Sequence, residues 1–185
     1  HLFLKSHSFE KLKIQCIDDG PTPLGTGGAL KKVLESTGLK SPFFLSWGDA
    51  YLRPDFSKLE NDYNKKFPGK TLMTVFRNSG EWGDSNCLFD ATSSKVKYDK
   101  FHTYLSKTET HYIDYGVMIV SPQDFLDFAK DKTSFDLADF FLDLSKQERL
   151  WGVEVFNRFF EIGSPAGKKD FEGFNIEVLR VLAME

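Results

Sequence analysis

The sequence has few cysteines and no long apolar run, and each shortage excludes a class of protein. Cys16 and Cys87 are the only cysteines among 185 residues, so neither a disulfide framework nor a cysteine-based metal site fits. No apolar run reaches the roughly 18 residues that a membrane-spanning helix needs. A net charge of −3 leaves no excess of basic residues to hold a nucleic acid by charge alone. The two cysteines favour a reducing, cytoplasmic location.

Familiar catalytic patterns are also missing. The four histidines, His1, His7, His102 and His111, show no metal-ligand spacing. No serine stands in a nucleophile elbow, and neither cysteine has an obvious base. The chain has enough apolar residues to form a core, because 41% of its residues are hydrophobic and 19 are phenylalanine. We therefore predict a single folded domain, residues 1–185, with a substantial core.

The spacing of apolar residues predicts an α/β fold. Alternation at residues 12–17 predicts a strand, and the spacing at 30–34 predicts a helix that ends at Gly38. The continuous apolar run at 43–47 predicts a buried strand. Further strands are predicted at 71–76, 87–89, 95–101, 112–120, 150–156 and 159–162, and further helices begin at Asp55, Ser121, Phe135 and Ser164. Because helices alternate with strands and hairpin-like strands follow, we predict three layers around a mixed sheet.

Residues 24–30, Leu-Gly-Thr-Gly-Gly-Ala-Leu, form the first stretch that points to a ligand site. Glycines at a strand-to-helix passage let a ligand lie against the main chain, where the first helical amides can bind an anionic or polar group. The candidate nucleotide-binding residues are Leu24, Gly25, Thr26, Gly27 and Gly28. The stretch lacks the lysine-serine ending of a P-loop and the dinucleotide fingerprint. A tight turn with close helix packing explains the same pattern.

Two carboxylates follow predicted strands. Asp49 comes after the run at 43–47, and Glu161 stands near the end of the predicted strand at 159–162. Ligands of α/β sheets bind at strand ends, and two carboxylates with phosphate oxygens and water suit Mg²⁺. Because the two residues are far apart in sequence, only the fold can bring them together. Two separate solvated carboxylates are the simpler explanation.

Three further positions have both a functional and a structural explanation. Lys100 follows a predicted strand, where a cation can hold a phosphate, although such a lysine is more often merely solvated. Asp114 and Gly116 interrupt the strongest predicted strand, 112–120. An inward aspartate can accept a hydrogen bond from a sugar hydroxyl, and glycine lets the sugar ring approach. A β-bulge explains the same interruption.

Four short motifs occur in order along the chain. They are residues 23–29 (Pro-Leu-Gly-Thr-Gly-Gly-Ala), 46–49 (Ser-Trp-Gly-Asp), 112–116 (Tyr-Ile-Asp-Tyr-Gly) and 161–165 (Glu-Ile-Gly-Ser-Pro). In this order they resemble the sugar-phosphate nucleotidyltransferase family. Residues 72–78, 85–86 and 97–100 are similar to the branch that contains heptose-1-phosphate guanylyltransferase-like proteins. The resemblance extends from residue 14 to residue 174.

The resemblance implies a reaction and a cofactor. A nucleoside monophosphate passes from a nucleoside triphosphate to a sugar 1-phosphate, and pyrophosphate is released. The implied fold is nucleotide-diphospho-sugar transferase-like, of the GT-A or Rossmann-like type, and Mg²⁺ is the implied metal, with Asp49 and Glu161 as its ligands. Glu161 stands where the family usually has aspartate. The implied partners are these two substrates, with neither nucleic acid nor membrane, and the sequence leaves a homo-oligomer open.

The resemblance also assigns the remaining site residues. The nucleotide lies along residues 25–28, and Asn86, Asp114 and Gly116 line the sugar. Lys100 matches the lysine that meets the sugar phosphate. Asp49 and Lys100 are therefore the implied catalytic residues.

One part of the family pattern has no match. The family's signature begins with an arginine-bearing glycine-rich loop and a proline-lysine pair, which grip the triphosphate. Because the chain starts at His1 and its first methionine is Met73, we expect preceding sequence to be missing and the fold to be N-terminally incomplete. A non-catalytic sugar-nucleotide-binding or regulatory subunit on the same fold is the alternative. A glycosyltransferase fits less well, because Asp49 is followed by Ala50 and Tyr51 rather than by a second aspartate.

Overall fold

The computed structural model describes residues 12–78 and 80–182, with side chains through residue 174. Its helices are α1 Gly25–Thr37, α2 Phe56–Lys66, α3 Pro122–Ala129, α4 Leu137–Lys146 and α5 Pro165–Leu182. Its strands are β1 Phe43–Ser46, β2 Ala50–Tyr51, β3 Leu72–Arg77, β4 Cys87–Asp90, β5 Lys95–Tyr98, β6 Tyr112–Val120, β7 Trp151–Val155 and β8 Phe160–Glu161. Within these residues, no helix has both the length and the apolar character needed to cross a bilayer.

Residues 12–20 contain no strand, so the strand predicted at 12–17 is wrong. None of the described strands pairs with this segment. An extended chain without a neighbour leaves its backbone N–H and C=O groups to water and gains no ladder of hydrogen bonds. Leu12 and Ile14 are accordingly 64% and 46% exposed.

Six strands form one mixed sheet in the order β1–β6–β3–β7–β5–β4. β3 and β7 run parallel, and both β1 and β3 run antiparallel to β6, which lies between them. β1, β3 and β7 therefore end at the same edge, where β6 begins beside β4 through the pair of Tyr112 and Cys87. We call this the carboxyl edge. The segments that follow β1, β3 and β7, and the segment that precedes β6, all lie there.

Helices cover both faces of the sheet. α1, α3 and α4 pack on one face, where Phe125, Phe140 and Phe141 are fully buried. α2 packs on the other face through Leu59 and Tyr63. Burying one such phenylalanine completely stabilises the fold by about 1.5–3 kcal/mol. The predicted α/β architecture, with three layers around a mixed sheet, is confirmed.

Side chains cap the helices where the sequence predicted their starts. Asp55, Ser121 and Ser164 each accept a hydrogen bond from the amide three residues later, at 2.9, 3.5 and 3.1 Å. Gly38 ends α1 in the left-handed conformation, with φ +65°. α4 begins later than predicted, because Asp136 rather than the preceding residues caps it.

Strands β1 and β6 differ from the regular, buried strands that the sequence predicts. Among the described strands, β1 lies at the edge of the sheet, and Phe44 is 39% exposed, so the prediction of a buried strand is wrong. In the pairing of β6 with β3, the register shifts between Met73 and Val75, which is a β-bulge. Gly116 lies within the bulged part of β6 with φ +97°. The bulge therefore accounts for the interruption at Asp114 and Gly116.

Candidate active site

Asp49 and Glu161 are neighbours in the fold. β2 pairs with β8 so that Ala50 stands opposite Glu161, and the amide of Ile162 donates to the carbonyl oxygen of Asp49 at 2.7 Å. A Cβ atom added to Gly163 would lie 2.8 Å from Glu161 Oε1 and 3.4 Å from Asp49 Oδ2. Both carboxylates therefore reach the same small space beside Gly163.

Glu161 is held at the start of α5. The hydroxyl of Ser164 donates to Glu161 Oε2 at 2.6 Å and accepts from the amide of Gly167 at 3.1 Å. The positive end of the helix dipole lies at this end of α5 and favours a nearby carboxylate. A Cβ on Gly167 would lie 2.4 Å from Glu161 Oε2, so only glycine leaves room for this arrangement.

The donor set of this pair fits a hard divalent cation. Among the residues that the structure describes, no lysine, arginine or histidine forms an ion pair with Asp49 or Glu161. The same residues contain no cluster of three or more histidine, cysteine or acidic side chains. Two carboxylates with remaining positions for phosphate and water are what Mg²⁺ prefers. The structure brings the two predicted ligands together, and their role as metal ligands stays a prediction.

Asn86, Asp114 and Gly116 also lie together, joined by Trp47. Asp114 Oδ1 accepts from Trp47 Nε1 at 3.0 Å, and Oδ2 accepts from Asn86 Nδ2 at 2.9 Å. The amide of Asp114 in turn donates to Asn86 Oδ1 at 3.0 Å. The Trp47 ring lies so close to Gly116 that an added Cβ would be 2.9 Å from Trp47 Cδ1.

Sequence reasoning gave Trp47 no role beyond packing or lining a cleft. The signal that was available is its position, because Trp47 lies two residues before Asp49 in the same short segment. A half-buried indole N–H normally finds an acceptor, and here that acceptor is Asp114. Trp47 thus connects the predicted sugar-lining residues to the carboxylate pair.

The glycine stretch packs tightly against the segment before α4. The amide of Gly27 donates to the carbonyl oxygen of Phe135 at 2.9 Å. An added Cβ would lie 2.2 Å from the Phe135 ring at Gly27, and 2.5 Å from the carbonyl oxygen of Thr133 at Gly28. Close helix packing therefore explains these two buried glycines. The nucleotide-binding role of residues 24–28 stays a prediction.

Lys100 lies in an ion pair at the start of α4. Its ammonium group is 3.1 Å from Asp136 Oδ2, and the hydroxyl of Thr26 donates to Asp136 Oδ1 at 3.3 Å. Partial burial opposes ionisation of Asp136, but hydrogen bonds from the Ala138 amide and Lys100 outweigh it, so the pKa of Asp136 is below its ordinary value. Lys100 is therefore linked indirectly to the glycine stretch, because Asp136 contacts both Lys100 and Thr26.

A cavity of about 470 Å³ opens beside Glu161. Its lining includes Trp82 and Gly83, Ser164 and Gly167 at the start of α5, and Arg158. Trp82 belongs to the segment after β3 that leads to Asn86. Sequence reasoning missed Arg158, since a single arginine between two strands forms no pattern.

Similar folds occur among solved structures. HddC from Yersinia pseudotuberculosis complexed with GMP-PN has a TM-score of 0.59 and 20% identity, over 83% of this chain and 64% of that chain. The inositol-1-phosphate CTP transferase from T. maritima has a TM-score of 0.58 and 20% identity, over 78% and 58%. UTP-bound UGPase from Acinetobacter baumannii has a TM-score of 0.62 and 14% identity, over 90% and 64%.

The chain spans between 58% and 64% of the length of these three proteins. The sequence matches no family model and no curated protein. At identities of 20% and below, the likeness concerns the fold. The chain has the fold of sugar-phosphate nucleotidyltransferases, as its four motifs indicated.

Proposed function

We propose that the protein containing this chain transfers a nucleoside monophosphate from a nucleoside triphosphate to a sugar 1-phosphate. The observation that carries the proposal is the meeting of Asp49 and Glu161 around the space beside Gly163. Two adjacent carboxylates without a basic partner among the described residues suit a cation that itself binds phosphates. Among the similar structures, HddC is complexed with GMP-PN and UGPase is bound to UTP, which supports a nucleotide as one substrate.

The chemistry requires no covalent enzyme intermediate. A phosphate oxygen of the sugar 1-phosphate attacks the α-phosphorus of the triphosphate in line. The bond between the α-phosphorus and the oxygen that bridges to the β-phosphate breaks, and pyrophosphate leaves with that electron pair. The protein contributes mainly by aligning the two substrates and by offsetting their charge.

Asp49 and Glu161 are the residues that would hold Mg²⁺. When bound, Mg²⁺ neutralises charge on the reacting phosphates. The chain itself fixes the two carboxylates through the β2–β8 pairing and the Ser164 hydrogen bond. Both carboxylates are solvent-exposed, so substrate phosphates can reach them.

In this proposal, the other predicted residues contact the sugar, its phosphate and the nucleotide. Asp114, held by Trp47 and Asn86, presents a rigid polar surface to the sugar. Lys100 supplies a cation near the glycine stretch, paired with Asp136 until an anion competes for it. In this proposal, residues 24–28 lie beside the nucleotide.

Several parts of the proposal concern the whole protein rather than this chain. We propose that residues 1–185 belong to one nucleotidyltransferase domain. The free thiols of Cys16 and Cys87 favour activity in a reducing cytoplasm. A sugar-nucleotide-binding subunit without turnover is the competing function.

The test uses the complete protein with Mg²⁺, each nucleoside triphosphate and a panel of sugar 1-phosphates. We expect pyrophosphate release with at least one pair, and a loss of about a hundredfold or more in kcat for Asp49→Asn and Glu161→Gln. Glu60→Gln, an exposed carboxylate on α2, serves as the matched control and should keep wild-type activity. Nucleotide binding without release for any pair, or full activity in Asp49→Asn, would contradict the proposal.

A further inference from the structure

Arg158 occupies a fixed position between β7 and β8 beside the cavity. Its guanidinium carbon lies 4.8 Å from the centre of the Trp82 ring and 4.4 Å from the centre of the Phe160 ring. Nη2 of Arg158 forms an ion pair with Asp170 of α5. Two aromatic rings and a carboxylate therefore restrict where the guanidinium can point.

Arg158 lines the same cavity as Glu161, the predicted metal ligand. Ser164, which donates to Glu161, and Trp82, which belongs to the segment that leads to Asn86, line it as well. In the proposed reaction the phosphate of the sugar 1-phosphate lies beside the metal, so a cavity lined by both Glu161 and Arg158 can receive it.

The hydrogen-bonding capacity of Arg158 is not used up. A guanidinium carries five N–H donors, and Asp170 engages only Nη2. Arg158 Nε is buried without an acceptor, and within residues 12–78 and 80–174 the only other such side-chain nitrogens belong to His102. A buried donor without a partner costs free energy, so an arrangement that supplies an acceptor is favoured.

We propose that Arg158 binds the phosphate of the sugar 1-phosphate, and that Asp170 is its partner while the acceptor is absent. This inference rests on the proposed function. A guanidinium matches phosphate in a bidentate geometry, and a phosphate dianion competes well against one exposed carboxylate. The cation–π contacts with Trp82 and Phe160 keep the guanidinium in place during the exchange.

The opposing explanation is structural, since the ion pair ties the β7–β8 segment to α5. The two explanations differ in what Asp170→Asn does. If the ion pair only connects the β7–β8 segment to α5, Asp170→Asn and Arg158→Gln remove the same contact and should change KM for the sugar 1-phosphate to a similar extent. If Arg158 binds substrate, Asp170→Asn frees the guanidinium, and only the arginine variant loses affinity for the acceptor.

The experiment measures KM for both substrates in the complete protein. We expect Arg158→Gln to raise KM for the sugar 1-phosphate at least tenfold while KM for the nucleoside triphosphate changes less than twofold. Arg158→Lys keeps the positive charge but loses the bidentate donor geometry of the guanidinium, so we expect an intermediate rise in KM for the sugar 1-phosphate. Asp170→Asn should leave KM for the sugar 1-phosphate unchanged or lower. Equal effects of Arg158→Gln and Asp170→Asn, or an unchanged KM in Arg158→Gln, overturn the inference.

A binding measurement separates this inference from the proposed function. Inorganic phosphate, glucose 1-phosphate and mannose 1-phosphate are titrated while tryptophan fluorescence is recorded, with Trp82→Phe identifying the responding ring. We expect a Trp82 signal in the wild type and at least tenfold weaker binding in Arg158→Gln, even if no pyrophosphate is released. Equal binding by wild type and Arg158→Gln, or no binding by either, overturns the role of Arg158. Absence of pyrophosphate release alone counts only against the proposed function.

Discussion

Trp47 Nε1 donates a hydrogen bond to Asp114 Oδ1 at 3.0 Å, which joins the segment after β1 to the bulged strand β6. Trp47→Phe keeps the aromatic ring but leaves that carboxylate oxygen without its donor. We expect the free energy of unfolding to fall by about 1–3 kcal/mol, measured by urea denaturation.

Trp82→Phe is the matched control for this loss, because the indole N–H of Trp82 donates to no described residue. It should change the free energy of unfolding by less than Trp47→Phe does. Equal losses in the two variants would mean that ring packing, and not the hydrogen bond to Asp114, accounts for the effect.

Gly27 tests whether the glycine stretch is required for packing. Gly→Ala in a helix normally stabilises by up to about 1 kcal/mol. At Gly27 the new methyl would lie 2.2 Å from the Phe135 ring, so we expect Gly27→Ala to destabilise by about 1–3 kcal/mol. Thermal unfolding of the purified variant measures the change.

Gly173 provides the matched control within α5, since an added Cβ there has no neighbour within 4 Å. Gly173→Ala should stabilise the protein by about 0.5–1 kcal/mol. If Gly27→Ala were as stable as Gly173→Ala, the close contact with Phe135 would not constrain the helix, and the packing explanation for this glycine would fail.

Asp99 should give the protein an acid-sensitive contribution to stability. Its carboxylate accepts from the amides of Tyr104 and Leu105 at 2.6 and 2.9 Å. Burial opposes ionisation, but these hydrogen bonds outweigh it and lower the pKa of Asp99 to about 2. Because the folded-state pKa is depressed, the stabilisation is present above the ordinary value near 4 and is lost as the pH falls towards 2.

Asp99→Asn therefore should lower the free energy of unfolding by about 2 kcal/mol at pH 7, and the difference from wild type should shrink between pH 4 and pH 2. Urea denaturation at several pH values measures it. Asp19→Asn, an exposed aspartate, should stay within about 0.5 kcal/mol of wild type throughout. A constant difference between wild type and Asp99→Asn at every pH would contradict the assignment.

The positions of Asp49 and Glu161 near strand ends could be predicted from the sequence, but their meeting could not. It depends on the pairing of β2 with β8, two strands of two residues each, which carry no periodic signal. The glycine stretch was ambiguous for another reason, since glycine permits either a ligand or a neighbouring ring to approach. Only the position of Phe135 shows that Gly27 meets a ring.

The features that the sequence did not predict correctly also have physical causes in particular residues. Residues 12–17 alternate like a strand, yet a strand needs a hydrogen-bonded neighbour, and pattern alone does not supply one. Arg158 and Trp47 are single residues whose roles depend on partners elsewhere in the chain, such as Asp170 and Trp82 for Arg158 and Asp114 for Trp47. Helix starts were predicted well because capping is local, as at Asp55 and Ser121.

Diffraction can test directly whether Asp49 and Glu161 hold one divalent cation, as we propose. Crystals of the complete protein, grown with Mn²⁺ in place of Mg²⁺ and a non-hydrolysable nucleoside triphosphate, would be measured for anomalous scattering. We predict one anomalous peak about 2.0–2.3 Å from an oxygen of each carboxylate, with phosphate oxygens completing the coordination. A fully occupied metal that contacts neither Asp49 nor Glu161 would contradict the account.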